Sequence, residues 1–284
     1  MTATRHYFTV DVEEHFQVSA FADRVPRAEW PAHPSRVAAN VDRLLQLLGA
    51  GRARGTFFVL GLVAERTPEV VRAIHAAGHE VASHGWDHQL VTQLTPADFR
   101  ASVRRSKVLL EDMIGLPVLG YRAPSYSIVA GCEWALDILA EEGYRYDSSL
   151  FPVRRPGYGY AHGARDPHWL ERPAGRLAEL PPATWRVLGV NLPAAGGAYF
   201  RIFPYRLVRA ALRQCEARGV PGVFYLHPWE VDPDQPRLPV SLSARLRHYT
   251  GLRRTVPRLE RLLTEFRFTA IADGLREQAV TGAL

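Results

Sequence analysis

A chain of 284 residues that is 47% hydrophobic and 23% charged, with 22 Gly and 21 Pro, can bury a globular core without disulfides and has a generous supply of loops. Its two cysteines, Cys132 and Cys215, are too few and too far apart for a disulfide framework or a paired metal motif, which favours a reducing compartment. The formal net charge of +6 suits acidic glycans, anionic lipid or nucleic acid, or else scattered solvated arginines; with no finger, homeodomain or glycine-rich phosphate motif beside it, nucleic acid is not an expected partner.

In chain order, the opening MTATRHYFTVDVEE brings Asp11, Glu13 and Glu14 before any apolar run that could serve as a secretory leader. Residues 7–12 (YFTVDV) read as a strand ending in acids. Residues 35–50 have helical spacing and close on glycine, and 55–60 (GTFFVL) read as a buried strand. Thr67-Pro68-Glu69 starts a helix with proline in its first position, stopping at Gly78, and a short strand follows at 80–83. Thr95-Pro96-Ala97-Asp98 repeats the start signal for a helix to about residue 114. A strand at 118–121, a helix at 133–142, and strands at 144–147 and 223–226 complete the alternation. Such βα units imply a mostly parallel sheet, either a closed or nearly closed barrel or an open doubly wound sheet.

The stretch 152–198 lacks a clear period and is rich in Pro, Gly and aromatics; it reads as long loops with some antiparallel strand, forming a wall of a cleft. The run 187–200, free of Lys, Arg, Asp and Glu, contains Asn191 and Pro193 and falls short of the ~18 apolar residues of a spanning helix. Beyond Pro239 a basic segment continues the same domain, with helical spacing at 256–266 and a short strand at 268–271. A single soluble, cytoplasmic domain over 1–284 is expected, with no membrane span.

Asp11, His84, Arg122, Asp147 and His227 each stand at the C-terminal end of a predicted strand, the end where βα barrels assemble their sites. In SHGWDH, three residues separate His84 from His88, so both imidazoles can reach one metal ion, with Asp87 a competing ligand. Asp11, Glu13 and Glu14 of VDVEEHF offer the carboxylate that would complete a two-histidine site while leaving positions open for water and substrate. His15 reads as a loop residue. Trp185, Trp229 and Tyr126 can stack on sugars or pack in the core.

Together VDVEEHFQVSAF, SHGWDHQLV, GYRAPSYSI, YDSSLFP, NLPAAGGAYFR and FYLHPWE, in order over 7–230, resemble the NodB-homology polysaccharide deacetylases, carbohydrate esterase family four. More narrowly they look like the exosortase-associated exopolysaccharide-locus branch. The resemblance implies an α/β fold, a distorted (β/α)7 barrel, with 231–284 packed on it as an extension. It implies metal-dependent hydrolysis of N-acetyl groups on the amino sugars of an exopolysaccharide or its precursor, an N-acetylated oligosaccharide or polysaccharide.

Carried over residue by residue, the resemblance makes Asp11 the catalytic base, His84 and His88 metal ligands, and Arg122 the arginine that orients the base. The backbone N–H of Ser125 becomes an oxyanion donor, His227 the general acid, Leu226 a lining residue of the acetyl pocket, and Trp229 a substrate neighbour. Asp147 would polarise His227, although YDSS lacks the family's aspartate-to-tryptophan pattern. The family's two adjacent aspartates are here Asp11-Val12-Glu13, which makes Glu13 the acidic ligand and Glu14 the fallback. The donor set suits Zn2+ first, and also Co2+, Ni2+, Mn2+ or Fe2+. Two rival functions carry different tests: an amidase opening cyclic imides, and a barrel that binds glycans without turnover.

Overall fold

Short strands buried on both faces and spaced by amphipathic helices leave the chain little choice but a sheet wrapped by helices. The computed structural model describes residues 4–155 and 157–281. Its strands are β1 (Arg5–Val12), β2 (Thr56–Val59), β3 (Glu80–Ser83), β4 (Gly120–Tyr121), β5 (Tyr146–Asp147), β6 (His168–Arg172), β7 (Gly175–Glu179), β8 (Thr184–Val187), β9 (Val190–Pro193), β10 (Val223–Leu226) and β11 (Arg267–Thr269). In the order β10, β1, β2, β3, β4, β5, β7, neighbouring strands are parallel. The ring is nearly closed: the Ala183 N–H donates to the Val223 carbonyl at 2.9 Å, and Gly196 bridges to Tyr225. This is the distorted (β/α)7 barrel, and the open doubly wound alternative falls away.

The stretch 152–198 supplies antiparallel pairs, β6 with β7 and β8 with β9, but also a parallel barrel strand, β7, that the sequence reading did not separate from the loops. GRLAE has only Leu177 and Ala178 as apolar side chains, adjacent instead of alternating, so its pattern is too weak to announce a strand. Helices Val37–Ala50, Pro68–Ala76, Pro96–Ile114, Trp134–Glu141 and Thr255–Glu265 lie close to where their spacing put them; Gly61–Arg66, Tyr205–Ala217, Leu242–Tyr249 and Ile271–Thr281 were not anticipated. Thr95 caps its helix through the Asp98 N–H, whereas Thr67 makes no side-chain cap.

Because strand side chains alternate faces, the parity of each residue decides where it goes. Phe8, Val10, Val12, Phe57, Val59, Val81, Phe224 and Leu226 face the helices and form the main core. Tyr7, Phe58, Ala82, Tyr146, Ala178 and Val223 take the opposite parity and pack together inside the barrel. At inward position 120 only glycine fits, since a Cβ there would overlap the Tyr146 ring. At the N-terminal end of the barrel Glu80 is the hub: Thr56 Oγ1, Tyr146 OH and the Ala272 N–H all donate to its carboxylate at 2.6–2.9 Å. The Ile271 N–H donates in turn to Thr56 Oγ1, so the segment after β11 forms the floor beneath the barrel.

Candidate metal centre

Continuing the inward parity past the strand ends leads from Tyr7 to Thr9, Asp11 and Glu13; from Ala82 to His84; from Gly120 to Arg122; and from Val223 to Tyr225 and His227. Asp11, Glu13, His84, Tyr225 and His227 accordingly line one cavity of about 370 Å³, with Ser125 and His88. Arg122, fully buried, crosses the barrel beneath them: Nη1 donates to Asp11 Oδ1 at 2.7 Å and to Thr9 Oγ1 at 2.8 Å, and Nη2 donates to Ser148 Oγ at 2.9 Å. Its guanidinium lies 4.2 Å from the Phe58 ring centroid. Oδ1 of Asp11 is thereby committed, and Oδ2 is the oxygen 4.0 Å from His227 Nε2.

Glu13, His84 and His88 each place a donor atom within 4.8 Å of the others, and all three are buried. His84 Nδ1 lies 2.8 Å from the Arg122 carbonyl, which fixes Nδ1 as the protonated nitrogen and leaves the Nε2 lone pair free. His88 sits at φ 59°, a left-handed conformation that reverses the chain after SHGWD. Its Nε2 lies 2.7 Å from Glu13 Oε2, yet that oxygen makes no hydrogen bond. Converging buried donors with an oxygen left unsatisfied are what a divalent cation would complete, so the residues present fit a two-histidine, one-carboxylate metal site. Burial raises the Glu13 carboxyl, but the surrounding His88, His227 and His84 outweigh it and hold the group at about 2. Burial takes the His84 imidazole down to about 4, the neutral form a metal ligand needs.

Glu14, the fallback ligand, faces away from the cluster and is used elsewhere. Its carboxylate accepts from Ser35 Oγ and from the Arg36 and Val37 N–H groups, capping the helix Val37–Ala50. Asp87 is likewise turned aside, 3.6 Å from Arg27.

His227 Nδ1 is held 2.7 Å from Glu230 Oε1, and Glu230 is itself clasped by Arg201. Burial lowers the imidazole, but Glu13, Glu230 and Asp11 more than compensate and lift it to about 9. Burial also raises Glu230, but Arg201 and His227 hold it at about 2.

The carboxylate beside His227 is therefore Glu230, not Asp147 as the sequence reading had it. Asp147 has outward parity: it receives the Ser149 hydroxyl at 2.6 Å and faces Glu179, its register partner on β7. Burial raises both carboxyls, and the neighbouring Asp147 pushes Glu179 further in the same direction. Leu226 shares that parity and packs in the core instead of lining an acetyl pocket; its neighbour Tyr225 is the one in the cavity.

Trp229 reaches the cavity, but both its faces are covered, by His227 at 5.1 Å and His248 at 3.9 Å between ring centroids, so it cannot stack on a sugar. Its Nε1–H donates to Glu13 Oε1 at 3.1 Å. One turn, 227–230, thus orients both the candidate acid and a candidate ligand. Ser125 and Tyr126 line the cavity with successive left-handed backbones, φ 53° and 54°. Such conformations cost roughly 1–3 kcal/mol each and gather at functional sites. Glu230 and Arg201 were missed by sequence reasoning, though HPWE signalled the former by placing an acid three residues after His227.

Comparison with known proteins accords with this geometry. Residues 29–146 match the polysaccharide deacetylase family, and residues 148–276 match a domain of unknown function, DUF3473. A peptidoglycan deacetylase-like protein of Gibberella zeae is 35% identical over 113 residues, 39% of this chain and 32% of that protein. The peptidoglycan deacetylase of Helicobacter pylori is 30% identical over 113 residues, 39% of this chain and 37% of that protein. The matched region thus spans about a third of these relatives. A crystal structure from Mycobacterium smegmatis that carries the polysaccharide deacetylase designation superposes with a TM-score of 0.64 at 23% identity, covering 100% of this chain and 93% of that one. Puue allantoinase does so with a TM-score of 0.58 at 18% identity, covering 98% and 90%. Both likenesses concern the fold. By sequence, residues 29–146 match the polysaccharide deacetylase family, and by fold the chain as a whole is similar to the Mycobacterium smegmatis structure.

Proposed function

We propose that the protein is a divalent-metal-dependent hydrolase that removes N-acetyl groups from amino sugars of an exopolysaccharide or its precursor. One observation carries the reading: three converging metal donors, an arginine-paired carboxylate and a carboxylate-paired imidazole face the same cavity. A cation held by Glu13, His84 and His88, zinc before Co2+, Ni2+, Mn2+ or Fe2+ by its donor set, would polarise a water and an amide carbonyl. Asp11, with Oδ1 held by Arg122, accepts the water's proton on Oδ2. His227, paired through Nδ1 with Glu230, presents Nε2 to the departing sugar nitrogen and donates to it. The Ser125 N–H serves as oxyanion donor, a role worth roughly 2.7–4 kcal/mol when lost.

The narrower exosortase-associated resemblance supports an exopolysaccharide substrate. The two free cysteines, Cys132 and Cys215, support a cytoplasmic site of action, where a precursor would be met.

The test is acetate release from N-acetylglucosamine oligomers after chelation and after returning Zn2+ or Co2+. Metal-restored release establishes the hydrolase. Wild-type turnover by a His84→Ala, His88→Ala double variant overturns it. Silence from folded, metal-loaded protein transfers the assignment to cyclic-imide hydrolysis or glycan binding, which ring opening of small imides and oligosaccharide titration then separate.

A further inference from the structure

The charges that line the cavity are nearly all spoken for. Asp11 is paired with Arg122, Glu13 with His88, and Arg201 with Glu230. Arg247 also lines the cavity, but it is exposed and therefore stands at the opening. Its guanidinium lies 5.8 Å from the Tyr158 ring centroid, and the groups that act on it are tyrosines, not carboxylates. The Tyr158 hydroxyl is 2.7 Å from that of Tyr199, and the Arg155 guanidinium lies 5.9 Å from the Tyr199 ring centroid, just outside the cavity lining. Among the described residues neither Arg155 nor Arg247 has an acidic partner within ion-pair distance.

The placement of Arg247 is built in. Arg201, the side chain that clasps Glu230 behind His227, also donates to the carbonyls of Arg247, His248 and Thr250 at 3.1, 2.9 and 2.6 Å. A single buried guanidinium thus ties the backbone carrying Arg247 to the turn carrying the candidate acid. An arginine with tyrosine but no carboxylate partners, on a fixed backbone at the mouth of a cavity, is a recognition element for a carboxylate or phosphate oxygen.

We infer that Arg247, with Arg155 beside it across the Tyr158–Tyr199 pair, forms a subsite for an anionic group on the sugar substrate, so that the preferred substrate is an acidic N-acetylated saccharide. This rests on the hydrolase reading for its orientation, because it sets the anion at the mouth and the acetamide at the metal centre.

The experiment compares metal-loaded wild type, Arg247→Gln and Arg247→Lys. Three probes are used: a neutral N-acetylglucosamine oligomer, an oligosaccharide alternating N-acetylglucosamine with a uronic acid, and a phosphorylated N-acetylglucosamine. Acetate release and calorimetric affinity are both read. A charge-assisted contact predicts about tenfold or greater preference for an acidic probe in wild type, loss of most of it in Arg247→Gln, and partial retention in Arg247→Lys. Whichever acidic probe carries the preference identifies carboxylate or phosphate as the group recognised. Equal release from neutral and acidic probes, or a preference untouched by Arg247→Gln, overturns the subsite and leaves the hydrolase standing. Arg247-dependent binding of an acidic probe with no acetate released sustains the subsite and overturns the hydrolase. No binding of either acidic probe overturns the subsite.

Discussion

His227 and Glu230 hold one another at both ends of a single turn: Glu230 Oε1 receives the His227 backbone N–H at 3.0 Å and lies 2.7 Å from its Nδ1. The imidazole is thus fixed in tautomer and direction by a residue only three positions away. Glu230→Gln keeps the shape but loses the charge, and acetate release should fall by about 10–100-fold, the usual cost of losing an orienting carboxylate. Circular dichroism alongside the assay separates this from unfolding. Undiminished turnover would remove Glu230 from the reaction.

Glu13 and Glu14 are neighbours with different work, and substitution should tell them apart. Glu13→Gln should abolish stoichiometric metal, measured by plasma mass spectrometry on dialysed protein. Glu14→Ala should keep the metal yet cost about 0.5–2 kcal/mol through the lost helix cap, read as a lower urea midpoint. The reverse pattern would exchange their roles.

Arg122 and Asp11 form a fully buried pair, and removing one member strands the other's charge. Arg122→Ala should therefore destabilise the fold by about 3–5 kcal/mol, measurable by chemical denaturation, and silence acetate release. A mild loss of stability would mean that water reaches the barrel interior.

Asp147→Asn tests the opposite expectation. Since burial raises the Asp147 carboxyl and the residue lies away from the cavity, a neutral amide can take its place, and kcat should stay near the wild-type value. A collapse of kcat in folded protein would return Asp147 to the reaction.

Acid stability should report on His79. Burial, aided by the Arg54 charge, brings this imidazole down to about 4, and its Nδ1 accepts the Gly55 N–H at 3.1 Å. Unfolded, the same group titrates near 6.5, so between those values the unfolded chain binds a proton that the folded chain does not. Its contribution is complete above about pH 6.5 and is lost as pH falls toward 4. His79→Asn retains an acceptor without the titration, so its melting temperature should fall less steeply over that window. Parallel curves would show that other groups govern acid unfolding.

Much of the site was legible because its residues follow apolar strands at positions where barrels converge, and Asp11, Glu13, His84, His88 and His227 do meet in one cavity. The misplaced residues share one cause. Asp147 and Leu226 are each one residue out of phase with the inward face, and in a strand one residue is the difference between cavity and core. Counting in twos from Asp11, His84 and His227 would have selected Tyr225 over Leu226. Strand β7 stayed hidden for another reason: a five-residue strand with only two apolar side chains owes its place to neighbours on both sides, information that local pattern does not contain.

The floor around Glu80 gives the far end of the chain a hold over the near end. β1, which carries Asp11, pairs with β11 more than 250 positions later, and the carboxylate beneath the barrel is satisfied by Ala272. These contacts form only once nearly all of the chain is available, a topology that slows folding. A chain shortened after residue 230 would keep Asp11, Glu13, His84, His88, Arg122 and His227 and still lack the base on which they are assembled.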